Sequence, residues 1–390
     1  MVYFVSYLTR INLGAVMVDM VDSGFASKAA VALALSVCSV TYGVGQIVNG
    51  YLCDRTKPQH VILVGLILTA AMNLGVFLLQ DAKYLVALWA VNGLGQSCMW
   101  PPLVAILASH FEMEDYDRAC VWVCWGSALG TIAVYLLSPW IIERWNYRWV
   151  FFCSGCLAIG MSLIWALVYG RAYAGPGRGV SGKKEEAAAS APKQHVTGSV
   201  LLAMGTVMLA IVMQGMLRDG VTNWMPTLVS ETLEIAPSAA IFSGVLLPIF
   251  QMLCTKTASW LHRHWIRNER VCAAAVFLIG SVTALLLALA VGRNAVGSVV
   301  LVALLVGCMH GVNYLLLCLT PAHFFRYGRV GLISGVLNAS TYIGSAVSTY
   351  GIAVFSERFG WRSTIVLWAA IALAGALLCV PAARNKELDS

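Results

Sequence analysis

Tyr7-Leu8-Thr9-Arg10-Ile11-Asn12-Leu13-Gly14 sets an arginine near the middle of an apolar run, Val2 to Val21. That run is long enough to cross a hydrocarbon core of about 30 Å. A guanidinium at the centre of a bilayer costs at least about 2.5–3.5 kcal/mol on insertion scales, so a lipid-facing arginine there has no rationale. The reading that removes the difficulty is that Arg10 faces a water-filled cavity and holds an anion.

The rest of the chain fits a membrane protein. Of its 390 residues 59% are hydrophobic and 11% charged, with a mean hydropathy of +0.79. Soluble domains carry about 25% charged residues, so a soluble enzyme is excluded in favour of a polytopic membrane protein. The first helix is too long for a signal-peptide core and lacks a small-residue cleavage site, so it is expected to stay on the chain. The 12 cysteines are scattered, most of them inside apolar runs, and read as packing residues rather than a disulfide framework. Cys153-x-x-Cys156 lies in a span and reads the same way. No metal or cofactor is expected.

Apolar runs separated by polar turns predict twelve spans, at 2–22, 29–52, 60–80, 84–109, 118–140, 148–171, 199–228, 238–261, 271–292, 296–320, 330–355 and 361–382. Residues 172–198, rich in Gly, Ala, Ser, Lys and Glu, read as a flexible linker with a short surface helix around Glu185–Ala191. The expected organisation is therefore a bundle over 1–171, the linker over 172–198 and a second bundle over 199–390. Sixteen lysines and arginines fall on the side of the even-numbered loops, the linker and the C-terminal tail, against seven on the other side. The positive-inside rule then puts both termini and the linker in the cytoplasm, and the net charge of +7 calls for no nucleic acid.

The two bundles repeat. Glu143-Arg144-Trp145-Asn146-Tyr147-Arg148 recurs 214 residues later as Glu357-Arg358-Phe359-Gly360-Trp361-Arg362. Arg118 recurs 211 residues later as Arg329, and Arg10 recurs 208 residues later as Arg218 in span seven. Parallel six-helix repeats are a secondary-transporter plan, with the site expected at the midplane between the halves. Guanidinium forks suit phosphate oxygens, so the paired arginines point to an anion. Tyr3, Tyr7, Arg10 and Gly14 share one helix face. Tyr42, Gln46 and Asn49 form a stripe on span two, and Asn92, Gln96 and Trp100 another on span four. Trp122 in span five, His310 and Asn313 in span ten, and Tyr342 in span eleven complete the expected lining. Each of these aromatics and amides serves equally well as interhelical packing.

Gly50-Tyr51-Leu52-Cys53-Asp54-Arg55-Thr56-Lys57-Pro58 resembles the G-x-L-x-D-R loop of the major facilitator superfamily. The resemblance implies an all-α fold of twelve transmembrane helices in two six-helix bundles, with Asp54 and Arg55 bridging helices on the cytoplasmic side and holding one conformation. The counterpart after span eight, Ala258-Ser259-Trp260-Leu261-His262-Arg263, lacks the acid. A finer resemblance is to the organophosphate:phosphate antiporters, which include the glycerol-3-phosphate and hexose-phosphate carriers. It is carried by Tyr7-Leu8-Thr9-Arg10-Ile11-Asn12, by Tyr42-Gly43-Val44-Gly45-Gln46, by Asn92 to Trp100-Pro101-Pro102, and by Arg218-Asp219-Gly220-Val221-Thr222-Asn223-Trp224-Met225-Pro226.

That resemblance implies that Arg10 and Arg218 grip a phosphate group and that inorganic phosphate is exchanged for an organophosphate, such as a sugar phosphate. Three positions depart from the family pattern. Gln46 stands where the phosphate-ester carriers have lysine, Gly126 stands where glycerol-3-phosphate carriers have histidine, and Asn223 replaces the acid of the span-seven motif. Asp219 is an added charge beside Arg218, able to tune the site or carry a proton. Two rivals stay open: a proton-coupled organic-anion or drug carrier of this fold, and a non-transporting sugar-phosphate sensor. No span carries an acid/base or nucleophile set, so enzyme activity is not expected. The near phosphate loop at 177–184 lacks its Ser/Thr and a preceding strand, and His110 and Asp115 lie in a short turn. A monomer is expected.

Overall fold

The computed structural model describes residues 1–172, 198–233, 246–327 and 329–383. The expected linker, its surface helix and the near phosphate loop fall almost wholly outside the described residues, as does the start of the span expected at 238–261. The first six expected spans are met by α1 (Val2–Ala15) with α2 (Met17–Asp22), α3 (Lys28–Cys53), α4 (Pro58–Leu78), α5 (Leu85–Ser97) with α6 (Trp100–His110), α7 (Met113–Arg144) and α8 (Arg148–Ala172). The others are met by α9 (Gly198–Leu233), α10 (Leu246–His264), α11 (Glu269–Ala290), α12 (Ala295–Asn313) and α13 (Val330–Ala383). Gly360 divides α13 in two with φ 76° and ψ 166°, a conformation only glycine adopts without strain.

Among the described residues, nine helices are long and apolar enough to cross a membrane. Spans one, four and eight are not among them, for local reasons. α1 stops at Val16 (φ −100°, ψ 7°) before α2 resumes. α5 and α6 part at Cys98-Met99 because Pro101 and Pro102 offer no N–H to the carbonyls four residues before them. In the first turn of α6 those missing donors cost nothing. α10, described from Leu246 onward, carries Lys256 and Arg263. Past α12 the chain widens into a π turn over Tyr314–Leu319 and tightens into a 3-10 segment over Thr320–Tyr327. Pro321, which cannot donate to Leu317, accounts for the lost register.

The chain divides into two compact units, Met1–Lys193 with Phe324–Val336, and Gln194–His323 with Leu337–Ser390. The first turns of α13 thus belong with the first unit. Gly331-Leu332-Ile333-Ser334-Gly335 is a G-x-x-x-G run, and it crosses α3 at Gln46 and Gly50 with backbone against backbone. A Cβ on Gly331 or Gly335 would overlap Cys53 or the Gln46 carbonyl.

Within each unit, glycines set matching crossings. A Cβ on Gly130 of α7 would stand 2.8 Å from the Phe4 carbonyl oxygen of α1, and one on Gly344 of α13 would overlap that of Val212 of α9. Gly130 and Gly344 are 214 apart, and Phe4 and Val212 are 208 apart. A Cβ on Gly93 would stand 2.5 Å from the Cys38 carbonyl oxygen, and one on Gly307, again 214 residues on, would stand 2.9 Å from that of Phe250. The offsets that relate the charged motifs thus also relate the helix crossings.

Gly344→Val is expected to destabilise the protein by about 1–3 kcal/mol, since the backbone of α9 leaves no room for the side chain. Gly205→Ala, which meets nothing within 4 Å, is expected to be neutral or slightly stabilising. Thermal unfolding of the two variants in detergent measures the difference.

Candidate anion site and gating loop

In the first unit, Arg10 projects from α1 between two tyrosine rings. Its guanidinium carbon lies 4.2 Å from the Tyr7 ring centre and 5.0 Å from that of Tyr42 on α3. Tyr7 packs against Tyr3 with ring centres 5.3 Å apart, and Tyr3 against Trp100 of α6 at 5.2 Å, both pairs tilted. The structure thereby brings together Tyr3, Tyr7, Arg10, Tyr42 and Trp100. Each cation–π contact contributes about 0.5–2 kcal/mol, rising as water is excluded. Face stacking on rings directs guanidinium N–H groups edgewise, the direction from which an oxyanion is gripped.

The other flank of α1 explains why Arg10 points this way. Ser6, Thr9 and Asn12 are buried against Thr69 and Asn73 of α4 and Asn92 and Gln96 of α5. The Thr9 carbonyl accepts from Asn73 Nδ2 and from Asn92 Nδ2, both at 3.1 Å. Gln96 Nε2 donates to Thr9 Oγ1 (2.9 Å) and Thr69 Oγ1 (2.8 Å), and its Oε1 accepts from Ser6 at 2.5 Å. Asn12 Nδ2 donates to Asn73 Oδ1 at 2.7 Å, and Thr69 donates to Asn92 Oδ1. Asn92 and Gln96 thus brace α1 from behind, and their amides are committed to that network. Polar residues at 6, 9 and 12 were its visible signal. Asn92→Leu is expected to cost about 1–3 kcal/mol, because the hydrogen-bonding groups of Thr9 and Thr69 are left buried without that partner. A lowered midpoint of thermal unfolding is the readout.

Gln46, one turn beyond Tyr42 on α3, is fully buried, and neither amide atom meets a hydrogen-bond partner among the described residues. A buried, unbonded amide calls for a polar occupant. Trp122 stands apart from this group. It is 68% exposed, stacks edge-on against Trp125, and lies eight residues, about 12 Å of helix, from Gly130 where α7 crosses α1 beside Tyr7. A Cβ on Gly126 would make only ordinary contact with Phe4, at 3.5 Å.

In the second unit, Arg218 Nε donates to Asp219 Oδ1 at 2.5 Å and Nη2 to Oδ2 at 2.8 Å, a bidentate pair with both side chains mostly buried. Ser345 of α13 also hydrogen-bonds Asp219, and His310 of α12 lies beside both charges. Gln214 Nε2 donates to the Met309 carbonyl at 3.1 Å, fixing α9 against α12. Asn313 follows one turn after His310, and its buried Nδ2 meets no acceptor among the described residues. Tyr342 lies on α13 three residues before Ser345 and is partly buried.

Asp54 ends α3. Its two carboxylate oxygens accept from the N–H groups of Gly331 (2.7 Å) and Leu332 (2.8 Å), capping α13 from outside its own sequence. Helix N-termini present unpaired donors and a partial positive charge, so a carboxylate is the fitting partner. Burial pushes the Asp54 carboxyl above its ordinary value, and the two N–H groups and Arg329 pull it part of the way back. Arg55 stacks on Tyr51 at 4.3 Å. Asp54→Ala is expected to speed hydrogen exchange at the start of α13 by about 10- to 100-fold, matching charge-assisted bonds worth about 1.5–3 kcal/mol. Unchanged protection there would show that the cap contributes nothing.

Helices long and apolar enough to cross a membrane, an arginine on a helix of each unit and a charged loop capping a helix fit a membrane transporter. A family model described as "Major Facilitator Superfamily" matches residues 1–349, and the chain belongs to that family. It is 23% identical to a probable hexose phosphate transport protein of Chlamydia trachomatis, over 99% of this chain and 89% of that one. It is 22% identical to the glycerol-3-phosphate transporter of Bacillus subtilis, over 93% and 85%. The fold is similar to that of the Escherichia coli fucose:proton symporter FucP, with a TM-score of 0.71 at 13% identity over 98% and 97% of the chains. The protein is thus a transmembrane transporter resembling the organophosphate:phosphate antiporters.

Proposed function

We propose that this transporter carries an organic anion, an organophosphate or sugar phosphate, in exchange for inorganic phosphate by alternating access. Arg10 and Arg218 are the anion ligands, one from each half. The observation that carries the reading is Arg10 in its tyrosine cage, an intramembrane cation held by a dedicated network on the far side of its helix. The relatives named for hexose phosphate and glycerol-3-phosphate support a phosphorylated substrate. Tyr3, Tyr7 and Tyr42 line the first arginine, and the unbonded Gln46 amide is a further donor and acceptor for the substrate. His310, Asn313 and Tyr342 supply the second half's polar groups, and Asp54 and Arg55 form the gate. Both termini are cytoplasmic, in a bacterial inner membrane, and the working unit is a monomer.

A second reading, a proton-coupled organic-anion carrier, is favoured by one feature, the carboxylate of Asp219 bound to Arg218. Uptake by proteoliposomes separates the two. Exchange requires internal phosphate, whereas the second reading predicts uptake driven by an imposed pH gradient alone. Under the first, Arg10→Lys and Arg218→Lys each lower exchange at least about 100-fold with folding retained, because a point charge cannot reproduce a bidentate fork. Wild-type flux in either variant refutes the role assigned to that arginine.

A further inference from the structure

The second arginine is already occupied. Two Arg218 donors, Nε and Nη2, are bonded to the two oxygens of Asp219. This is the planar two-point geometry that a phosphoryl group takes on the same guanidinium. The arrangement is built from three helices. α9 supplies the pair, and Thr222 Oγ1 holds the Arg218 carbonyl at 2.5 Å. α13 supplies Ser345, which bonds the carboxylate, and α12 supplies His310. Gly220 keeps α9 in this register, since a Cβ there would meet Ser348 Oγ and Ile352 Cδ1 at 2.7 Å. Among the described residues, the charged or titratable groups around Asp219 are Arg218 on its own helix and His310 on α12.

We propose that Asp219 is an internal competitor for Arg218 and that it sets the charge of the cargo. The transported group is a singly charged phosphoryl group, either a phosphodiester or a monoester holding one proton. Arg218 and Asp219 together carry no net charge. A monoanion entering the fork exchanges with the carboxylate one charge for one, and Ser345 retains the displaced Asp219. A dianion adds a second negative charge within a few ångströms of that carboxylate, in surroundings that screen poorly. Phosphate monoesters lose their second proton near pH 6, so charge discriminates the two ester classes above that pH.

This inference rests on the reading of Arg218 as an anion ligand, and the test keeps the two apart. The probes are monomethyl phosphate, a dianion at pH 8, and dimethyl phosphate, a monoanion at every pH used. Both are independent of the cargo's organic part. At pH 8, above the ordinary histidine value of about 6.5, affinities are measured by ligand-induced thermal stabilisation of the full-length protein in nanodiscs. Wild type is expected to bind dimethyl phosphate at least about tenfold more tightly. In Asp219→Asn the preference is expected to vanish or invert, through at least about a tenfold gain for monomethyl phosphate. If Asp219→Asn does not fold, Asp219→Ser makes the same removal of charge with a smaller side chain.

Equal or tighter binding of the dianion by wild type overturns the proposal. So does a preference left unchanged by removing the Asp219 charge. In both cases loss of all binding in Arg218→Lys leaves the anion-ligand reading standing. If neither probe binds wild type or the Asp219 variants, Arg218 is not an anion ligand, and both statements fall together.

Discussion

A guanidinium held inside a membrane-spanning helix is the constraint on which the first unit depends. α1 meets the cost of Arg10 on two sides at once. Tyr7 and Tyr42 offer the cation their ring faces, while Thr9, immediately before it in sequence, is bound by amides from α4 and α5. The second contact determines the first. An α1 free to rotate would let Arg10 swing toward lipid, and the Thr9 carbonyl held by Asn73 and Asn92 prevents it. Membrane interiors make such buried polar networks a device of orientation as much as of stability.

Within each unit, close backbone approach at glycines sets helix crossings. Gly130 and Gly344, and Gly93 and Gly307, sit at equivalent crossings, and each would lose its contact to any larger residue. In hydrocarbon, burying apolar side chains gains little over lipid, so close packing at small residues takes over that role. Gly331 and Gly335 use the same device to seat the start of α13 on α3. There Asp54 completes the joint by supplying acceptors to two otherwise unbonded N–H groups.

Much of this was legible in the sequence because hydropathy and repetition are properties of the chain alone. The spans, the spacing that relates Arg10 to Arg218 and the charged loop at Asp54-Arg55 needed no coordinates. What was not legible depended on which neighbour a helix face meets. Asn92, Gln96 and Trp100 share a stripe by periodicity, yet Trp100, beyond the break between α5 and α6, meets Tyr3, while the two amides bond Ser6 and Thr9 on the other flank of α1. Helical spacing states which residues share a face and not what lies opposite. The cap that Asp54 gives to Gly331 joins positions 277 apart in sequence, beyond any local pattern. Asp219 was visible as a charge beside Arg218, but its bidentate hold on that arginine required the side-chain geometry.

The central claim is that intramembrane arginines in this chain bind an oxyanion. Titration of the purified wild-type protein with inorganic phosphate, followed by its unfolding midpoint, tests that claim most directly. Ligand bound to the folded state raises stability as RT ln(1 + [L]/Kd). The account predicts a saturable rise in wild type and none in a double Arg10→Lys, Arg218→Lys variant with an unchanged starting midpoint. A flat wild-type response, or an equal rise in the double variant, would contradict it.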